Sequence, residues 1–361
     1  MKVGILTFHK QLNCGASLQA YAIKRAYENC GAEVQVIDFF TQQMTDRCKI
    51  FLKGGVKAQL INVLLLFQYP HYLRTRKGFM DFAQKYMNLT KHYSTYEELK
   101  GLEEKFDVIS TGSDQVFNCN KIPYDQIRGY CQDFHNSAKK VAYAGSMGDG
   151  AAEYIDKLTA LKDFAHISLR EIYNKESLEK MTGKEIEVVC DPTYLHDKEE
   201  YEKIAKERMY SKPYILCYCL TNPKKLYDKA KELKRLTGLD VVVIARQPGV
   251  KMRADRVYKN VEPREFLSLV RHAEYVVTNS FHGVAFSVIF EKPFFVYAAS
   301  RSRKTRIKER LDSFGLSDRI FYDDSAEIDK NQLSIDFTNA KKVLQEDRDY
   351  ALAYIKKTME K

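Results

Sequence analysis

Short apolar runs, each closed by Gly, Asn, Asp or Ser, alternate along the chain with stretches whose apolar residues recur every three or four positions. Runs of the first kind read as strands buried on both faces, and the second kind as amphipathic helices packed over them. Residues 2–8 (KVGILTF) predict a strand. Residues 16–30 predict a helix with Leu18, Tyr21, Ala22, Ala26 and Tyr27 at helical spacing, ended by Gly31, and 33–39 (EVQVIDF) predict a second strand. This is a βαβ unit, which sets two parallel strands in one sheet. Further apolar runs follow at 107–111, 140–145, 167–170 and 187–191, with helical stretches between several of them.

After Asp191-Pro192 the charged stretch DKEEYEKIAKER leads to Lys212-Pro213, and a second series begins. It predicts strands at 214–220, 241–245, 274–278 and 293–297 and helices at 223–237, 263–272 and 283–290. Two alternating series in one chain predict an α/β protein of two Rossmann-like lobes facing across a cleft, with ligands at the carboxyl ends of the strands. The expected organisation is an N-terminal lobe over 1–195 carrying an insertion at 45–80, a C-terminal lobe over 196–338, and a helix over 339–361 packing across both. The length of 361 residues fits two domains at roughly 150 residues each.

Composition narrows the class. Hydrophobic residues at 45% and charged residues at 29% describe an ordinary globular chain and exclude disordered, collagen-like and coiled-coil classes. The longest apolar stretch, 60–67, contains Asn62 and is far shorter than the ~20 residues of a spanning helix. The opening MKVGILTFHK is too short for a secretory apolar region, so the expectation is a cytoplasmic protein whose first residues belong to the fold. The eight cysteines form no C-x-x-C pair and read as free thiols, with Cys217 and Cys219 as small buried residues of a strand. No cluster has the spacing of a metal site.

The net charge of +10 suggests anionic partners. Much of it lies in two blocks. Residues 47–77 hold seven cations and no acid, interleaved with Phe51, Leu52, Leu60, Ile61, Leu64, Leu65, Leu66 and Phe67, and 301–310 (RSRKTRIKER) hold six cations and one acid. The first block reads either as a peripheral contact with the inner face of an anionic membrane or as a helical insertion covering the first lobe. No nucleic-acid motif accompanies either block, and nucleic acid is not expected as a partner.

Four strand ends carry residues able to do chemistry. At 9–16, Asn13, Gly15 and the start of the next helix present backbone N–H groups to an anion, or serve as a plain strand-to-helix turn. At 111–118 (TGSDQVFN), Asp114 projects beside two hydroxyls as a base for a sugar hydroxyl, or forms an Asx-type turn or cap. At 168–171, Arg170 offers a planar fork to carboxylate or phosphate oxygens, or pairs with Glu171 or a neighbouring acid. At 278–283 (TNSFHG), Ser280, His282 and Gly283 combine a strand end, a group that titrates near neutrality and the opening of a helix.

These stretches occur in order along a chain that resembles the polysaccharide pyruvyl transferase family. The resemblance rests on NCGASLQAYAIKRA (13–26), DVISTGSDQVFN (107–118), KVAYAGSMG (140–148), ISLRE (167–171), CDPT (190–193), TNSFHGVAFSVIF (278–290) and TRIKERLDSFGLSDR (305–319). It implies a GT-B-like fold, phosphoenolpyruvate as donor, no further cofactor, and a ketal formed on two hydroxyls of a sugar in a polysaccharide or lipid-linked oligosaccharide. It also implies Arg170 and His282 on the donor, the Gly283 backbone assisting, and Asp114 near the reacting hydroxyls. Well-studied members carry Arg-Leu-His where this chain has Ser280-Phe281-His282, so one arginine is absent. Arg246, or Arg301, Arg303 and Arg306 of the basic block, are the candidates to replace its charge. The competing expectation is a nucleotide-sugar-dependent glycosyltransferase of the same fold.

Overall fold

The computed structural model describes residues 1–49, 51, 54–55, 59, 62–63, 65–67, 69–134, 136–148, 153–219, 223–245, 254–259, 261–297, 301–322 and 327–360, with side chains except at 47, 223 and 301–305. The chain forms two compact units. The first comprises Met1–Lys49, Phe79–His196 and Glu346–Lys361, and the second Ile50–Gly78 and Asp197–Gln345. Residues 50–78 therefore group with the second unit, where the sequence suggested an insertion on the first. Arg74 pairs with the buried Glu265, and Gly78 approaches Glu262 so closely that an added Cβ would stand 2.8 Å from its Cβ.

The first unit holds a sheet of seven parallel strands: β1 (Lys2–Leu6), β2 (Glu33–Phe39), β3 (Leu89–Tyr93), β4 (Val108–Thr111), β5 (Lys139–Gly145), β6 (His166–Leu169) and β7 (Glu187–Val188). Their spatial order is β3-β2-β1-β4-β5-β6-β7, with Val3 beside Val34 on one flank and beside Val108 on the other. Val3, Ile5, Leu6, Ile109, Val141 and Ala142 are buried, as expected of strands covered on both faces. Helix α1 (Cys14–Asn29) crosses from β1 to β2.

The second unit holds six parallel strands: β8 (Tyr214–Cys219), β9 (Asp240–Ala245), β10 (Arg256–Lys259), β11 (Tyr275–Thr278), β12 (Phe294–Tyr297) and β13 (Ile320–Phe321). Their order is β10-β9-β8-β11-β12-β13. Every residue of β8 is buried, whereas the edge strand β10 has partly exposed or exposed residues throughout. The helices used below are α2 (Tyr69–Tyr86), α3 (Pro263–Arg271), α4 (Phe281–Ile289), α5 (Arg301–Phe314) and α6 (Thr338–Met359).

Both sheets reverse direction once. In the first unit the chain lays down β2 and β3 on one side of β1, then β4 onward on the other. In the second it lays down β9 and β10 beside β8, then β11 onward on the far side. At such a point the loops leaving two adjacent strands diverge and open a crevice at their carboxyl ends. The reversals lie at the ends of β1 and β4 and at the ends of β8 and β11.

The carboxyl-terminal part of α6 belongs to the first unit. Tyr354 is buried and donates its hydroxyl to Ala142 O at 2.7 Å, and the Thr358 hydroxyl lies 3.2 Å from that of Tyr27. Tyr354→Ala is expected to destabilise the protein by about 3–5 kcal/mol through the cavity it leaves. Chemical denaturation measures the loss, and a change under about 1 kcal/mol would show that α6 is dispensable to this core.

Candidate functional site

The loop after β4 stands at the reversal of the first sheet. Gly112 takes φ +116° and lies against Tyr143 O with no room for a side chain. Glycine is required there on both counts. Ser113 is fully buried. Its hydroxyl donates to Ala144 O at 2.9 Å, and its amide donates to Gln19 Oε1 at 3.3 Å. Gln19 Nε2 in turn donates to Thr7 Oγ1 and Phe8 O, and Thr7 Oγ1 donates to Ser113 O. The ends of β1 and β4 are thus fastened through one glutamine of α1.

Asp114 follows at φ 70°, its backbone oxygen accepting from Val116 N and Ser146 N. Its carboxylate accepts from Gln115 N at 2.8 Å and lies 3.9 Å from Arg170 Nη2, with the side chain 16% exposed. The carboxylate thus holds the next backbone amide and is still reached by solvent.

Arg170, the sequence-stated anion clamp, is differently engaged. Its side chain is 5% exposed. Nη1 donates to Asp191 Oδ2 at 2.7 Å and Nε to Glu171 Oε1 at 3.2 Å, with Asp114 as the third carboxylate. Burial alone would push the guanidinium down, but Glu171, Asp191 and Asp114 together push it well up. Three carboxylates therefore surround one cation. Asp191 also accepts from Thr193 N and Oγ1, and Glu171 from Ser146 Oγ, so Arg170 binds together the chain leaving β4, β5, β6 and β7. The plainer sequence alternative, a pair with Glu171 or a neighbouring acid, is what forms, but buried.

Asn13 is likewise committed. It is the N-cap of α1, and its side-chain oxygen accepts from Gly15 N at 3.1 Å. That amide serves the cap.

The second unit carries the TNSFHG motif at its reversal. Thr278 ends β11, donating its hydroxyl to Tyr218 O at 2.9 Å and accepting from Ser280 N at 3.1 Å. Ser280 is the N-cap of α4, so the helix starts at Phe281, two residues before the position the sequence suggested. His282 lies inside the first turn, 8% exposed, with its ring edge-on to Phe281 at 5.3 Å. Gly283 lets the turn sit directly on the Thr278 side chain, where a Cβ would collide. The Ser280 side chain makes no cap hydrogen bond, and the first turn has no acid. The helix start thus keeps its positive end without an internal counter-charge. Ser280, His282 and Gly283 are brought together, as are Asp114 and Arg170. Arg306 lies partly buried on α5, while Arg246 and the side chains of Arg301 and Arg303 fall outside the described residues.

Sequence reasoning missed a further buried group. After β1, His9 places Nδ1 3.0 Å from Thr7 O and Nε2 2.9 Å from Asp38 Oδ1, and Lys10 and His92 also face Asp38. The available signal was Asp38 itself, an acid in the otherwise apolar run VIDFF. Among the described residues no group of three or more His, Cys, Asp or Glu is arranged to hold a metal ion.

Solved structures share this architecture. Arabidopsis thaliana UGT89C1 complexed with UDP-L-rhamnose is 10% identical over 99% of this chain and 98% of its own, with a TM-score of 0.50. UDP-N-acetylglucosamine 2-epimerase from Rickettsia bellii is 8% identical over 99% and 94%, with a TM-score of 0.50. An S. aureus MnaA–UDP co-structure is 12% identical over 98% and 90%, again at 0.50. The fold is GT-B-like, two Rossmann-like α/β units as in glycosyltransferases and epimerases. A family model described as polysaccharide pyruvyl transferase matches residues 13–301, and the chain belongs to that family. A search of curated proteins gives no match.

Arg170→Leu strips the guanidinium from buried carboxylates and is expected to cost about 3–5 kcal/mol in urea denaturation. Arg170→Lys, with a charge but no fork, should fall between. An Arg170→Leu protein as stable as the parent would refute the fastening role. Burial pulls the Asp38 carboxyl up, but His9 and Lys10 outweigh it and hold the group far below the ordinary carboxylate range. Its contribution to stability is therefore present above about pH 4 and is lost as pH falls below that, toward the depressed folded value. Asp38→Asn is expected to lower neutral-pH stability by about 3 kcal/mol, with the gap from the parent closing in acid. A gap independent of pH would contradict the ion-pair account.

Proposed function

We propose that this chain transfers the pyruvyl group of phosphoenolpyruvate to two hydroxyls of a sugar, forming a ketal in a polysaccharide or a lipid-linked oligosaccharide of the cell surface. Family membership supports the pyruvyl group and the carbohydrate acceptor. The observation that carries the donor assignment is the TNSFHG turn: a nearly buried histidine in the uncapped, acid-free first turn of α4, at the reversal of a parallel sheet. A helix start of this kind favours an anion, and imidazole supplies a proton near neutrality.

The chemistry divides between two groups. A proton delivered to the methylene carbon makes the central carbon of phosphoenolpyruvate electrophilic, and the first sugar hydroxyl adds to it while losing its proton to a base. Phosphate then departs with the C–O bond electrons, the second hydroxyl adds at the same carbon, and its proton is lost. The products are the methyl ketal carboxylate and inorganic phosphate. His282 is assigned the proton donation or the stabilisation of the departing phosphate, and Asp114, held by the β4 loop and near the Arg170 guanidinium, the acceptance of the hydroxyl proton. The basic residues Arg246, Arg303 and Arg306 are candidates for the charge that Ser280 does not provide.

His282→Gln is expected to lower transfer by at least about 100-fold without lowering the melting temperature. Phosphate release and the mass of the pyruvylated sugar are the readouts. Phosphoenolpyruvate should raise the melting temperature of the parent, because a ligand stabilises the state that binds it. A rise with nucleotide sugars and none with phosphoenolpyruvate would replace this reading with glycosyl transfer, which the missing arginine at Ser280 favours. Full activity in His282→Gln would remove His282 from the reaction.

A further inference from the structure

Among the described residues, twelve large hydrophobic side chains are exposed, and six of them fall between 51 and 73: Phe51, Val63, Leu66, Phe67, Tyr69 and Leu73. Phe67 is 81% exposed and Val63 and Leu66 each 56%. Scattered single exposures need no explanation, but half of the total within one short stretch does.

Helix α2 sorts its residues by face. Tyr72, Thr75, Phe79, Phe82 and Ala83 are buried, while Tyr69, Leu73, Arg76 and Lys77 are exposed. At 3.6 residues per turn Tyr69, Leu73, Arg76 and Lys77 form one stripe that adjoins the side carrying the buried five, with His71, Arg74, Asp81 and Lys85 exposed further round. Leu66 and Phe67 stand just before its first turn. The stripe therefore mixes apolar side chains with two cations; no acid occurs from 47 to 77, and Asp81, one turn beyond Lys77, is the first exposed acid of the helix. A globular core explains the buried face and leaves the other unaccounted for.

Cations beside exposed Leu, Phe and Tyr match an interface that is negative at the surface and apolar a few ångströms below, with long basic side chains reaching back to the charged layer. A protein partner would also accept apolar side chains, but the absence of any acid over 31 residues favours a uniformly negative surface. We propose that the face formed by Val63, Leu66, Phe67, Tyr69, Leu73, Arg76 and Lys77 docks on an anionic phospholipid bilayer. Phe67, Leu66 and Leu73 enter the headgroup boundary, and Arg76 and Lys77 meet lipid phosphates. Among the described residues no helix is long and apolar enough to cross a membrane, so the contact is peripheral.

The test is flotation of the full chain with vesicles of phosphatidylcholine alone or mixed with phosphatidylglycerol. The parent should float with the mixed vesicles, remain below with the neutral ones, and release as salt is raised. The triple variant Leu66→Ser, Phe67→Ser, Leu73→Ser should partition at least about tenfold more weakly. Arg76→Glu with Lys77→Glu should abolish the preference for anionic vesicles. All five positions are exposed, so both variants should keep the parental melting temperature, which verifies folding. Absence of flotation with either vesicle, equal flotation with both, or full flotation of the triple variant would overturn the proposal. So would concentration-dependent self-association of the parent, lost in the triple variant, without vesicle binding, which would assign the face to a second copy. The assay contains neither donor nor acceptor, so its failure and failure of the pyruvyl-transfer reading are separate events.

Discussion

A parallel sheet delivers the carboxyl end of every strand to the same edge. That constraint decides where this protein can do chemistry. Loops leaving such an edge usually fold back over the sheet on one side or the other, and where the strand order reverses two neighbouring loops part. The β4 loop and the TNSFHG turn each occupy such a reversal. In both, a glycine lets the chain approach a neighbouring strand residue without a side chain between them: Gly112 against Tyr143 O, and Gly283 against Thr278. The polar residues that matter are thereby held by the sheet itself.

The electrostatics of the two turns are opposite in sign. Around Arg170, three carboxylates surround one guanidinium. At α4, a helix start with no acid in its first turn carries a histidine. The departure from the family pattern at Ser280 falls within the positive turn, so the charge it lacks must come from elsewhere in the chain or from the helix start alone. The fully buried Ser113 and Gln19 play no direct part in either environment, yet they fix the loop on which Asp114 stands.

Strands buried on both faces were legible because nothing but apolar residues fits there, as in VVVIA of β9 and ILCYC of β8. The missed strands are the edges. LTKHY of β3, RVYK of β10 and the two residues of β13 carry polar side chains or are too short to rise above a turn, since only one flank is paired and solvent reaches them. The motif residues were legible by position, after strands and before helices. Their roles were less so. That Arg170 faces Asp191 depends on β6 and β7 being neighbours, and that Asp38 meets both His9 and His92 depends on β1, β2 and β3 lying side by side. Those are long-range pairings, and no local pattern encodes them. The grouping of 50–78 with the second unit is of the same kind, resting on contacts with Glu262 and Glu265 nearly two hundred residues later.

The placement of α6 has a bearing on biosynthesis. The first unit draws on three separate stretches, the last being Glu346–Lys361, and Tyr354 from that stretch seats its hydroxyl on the interior strand β5. A chain emerging from the ribosome cannot finish its first unit until residues 346–361 have followed, although most of that unit is made first. The intervening second unit is complete in sequence before its predecessor is. The nascent amino-terminal sheet must therefore wait with part of its apolar surface uncovered, a period in which holding chaperones would find their substrate.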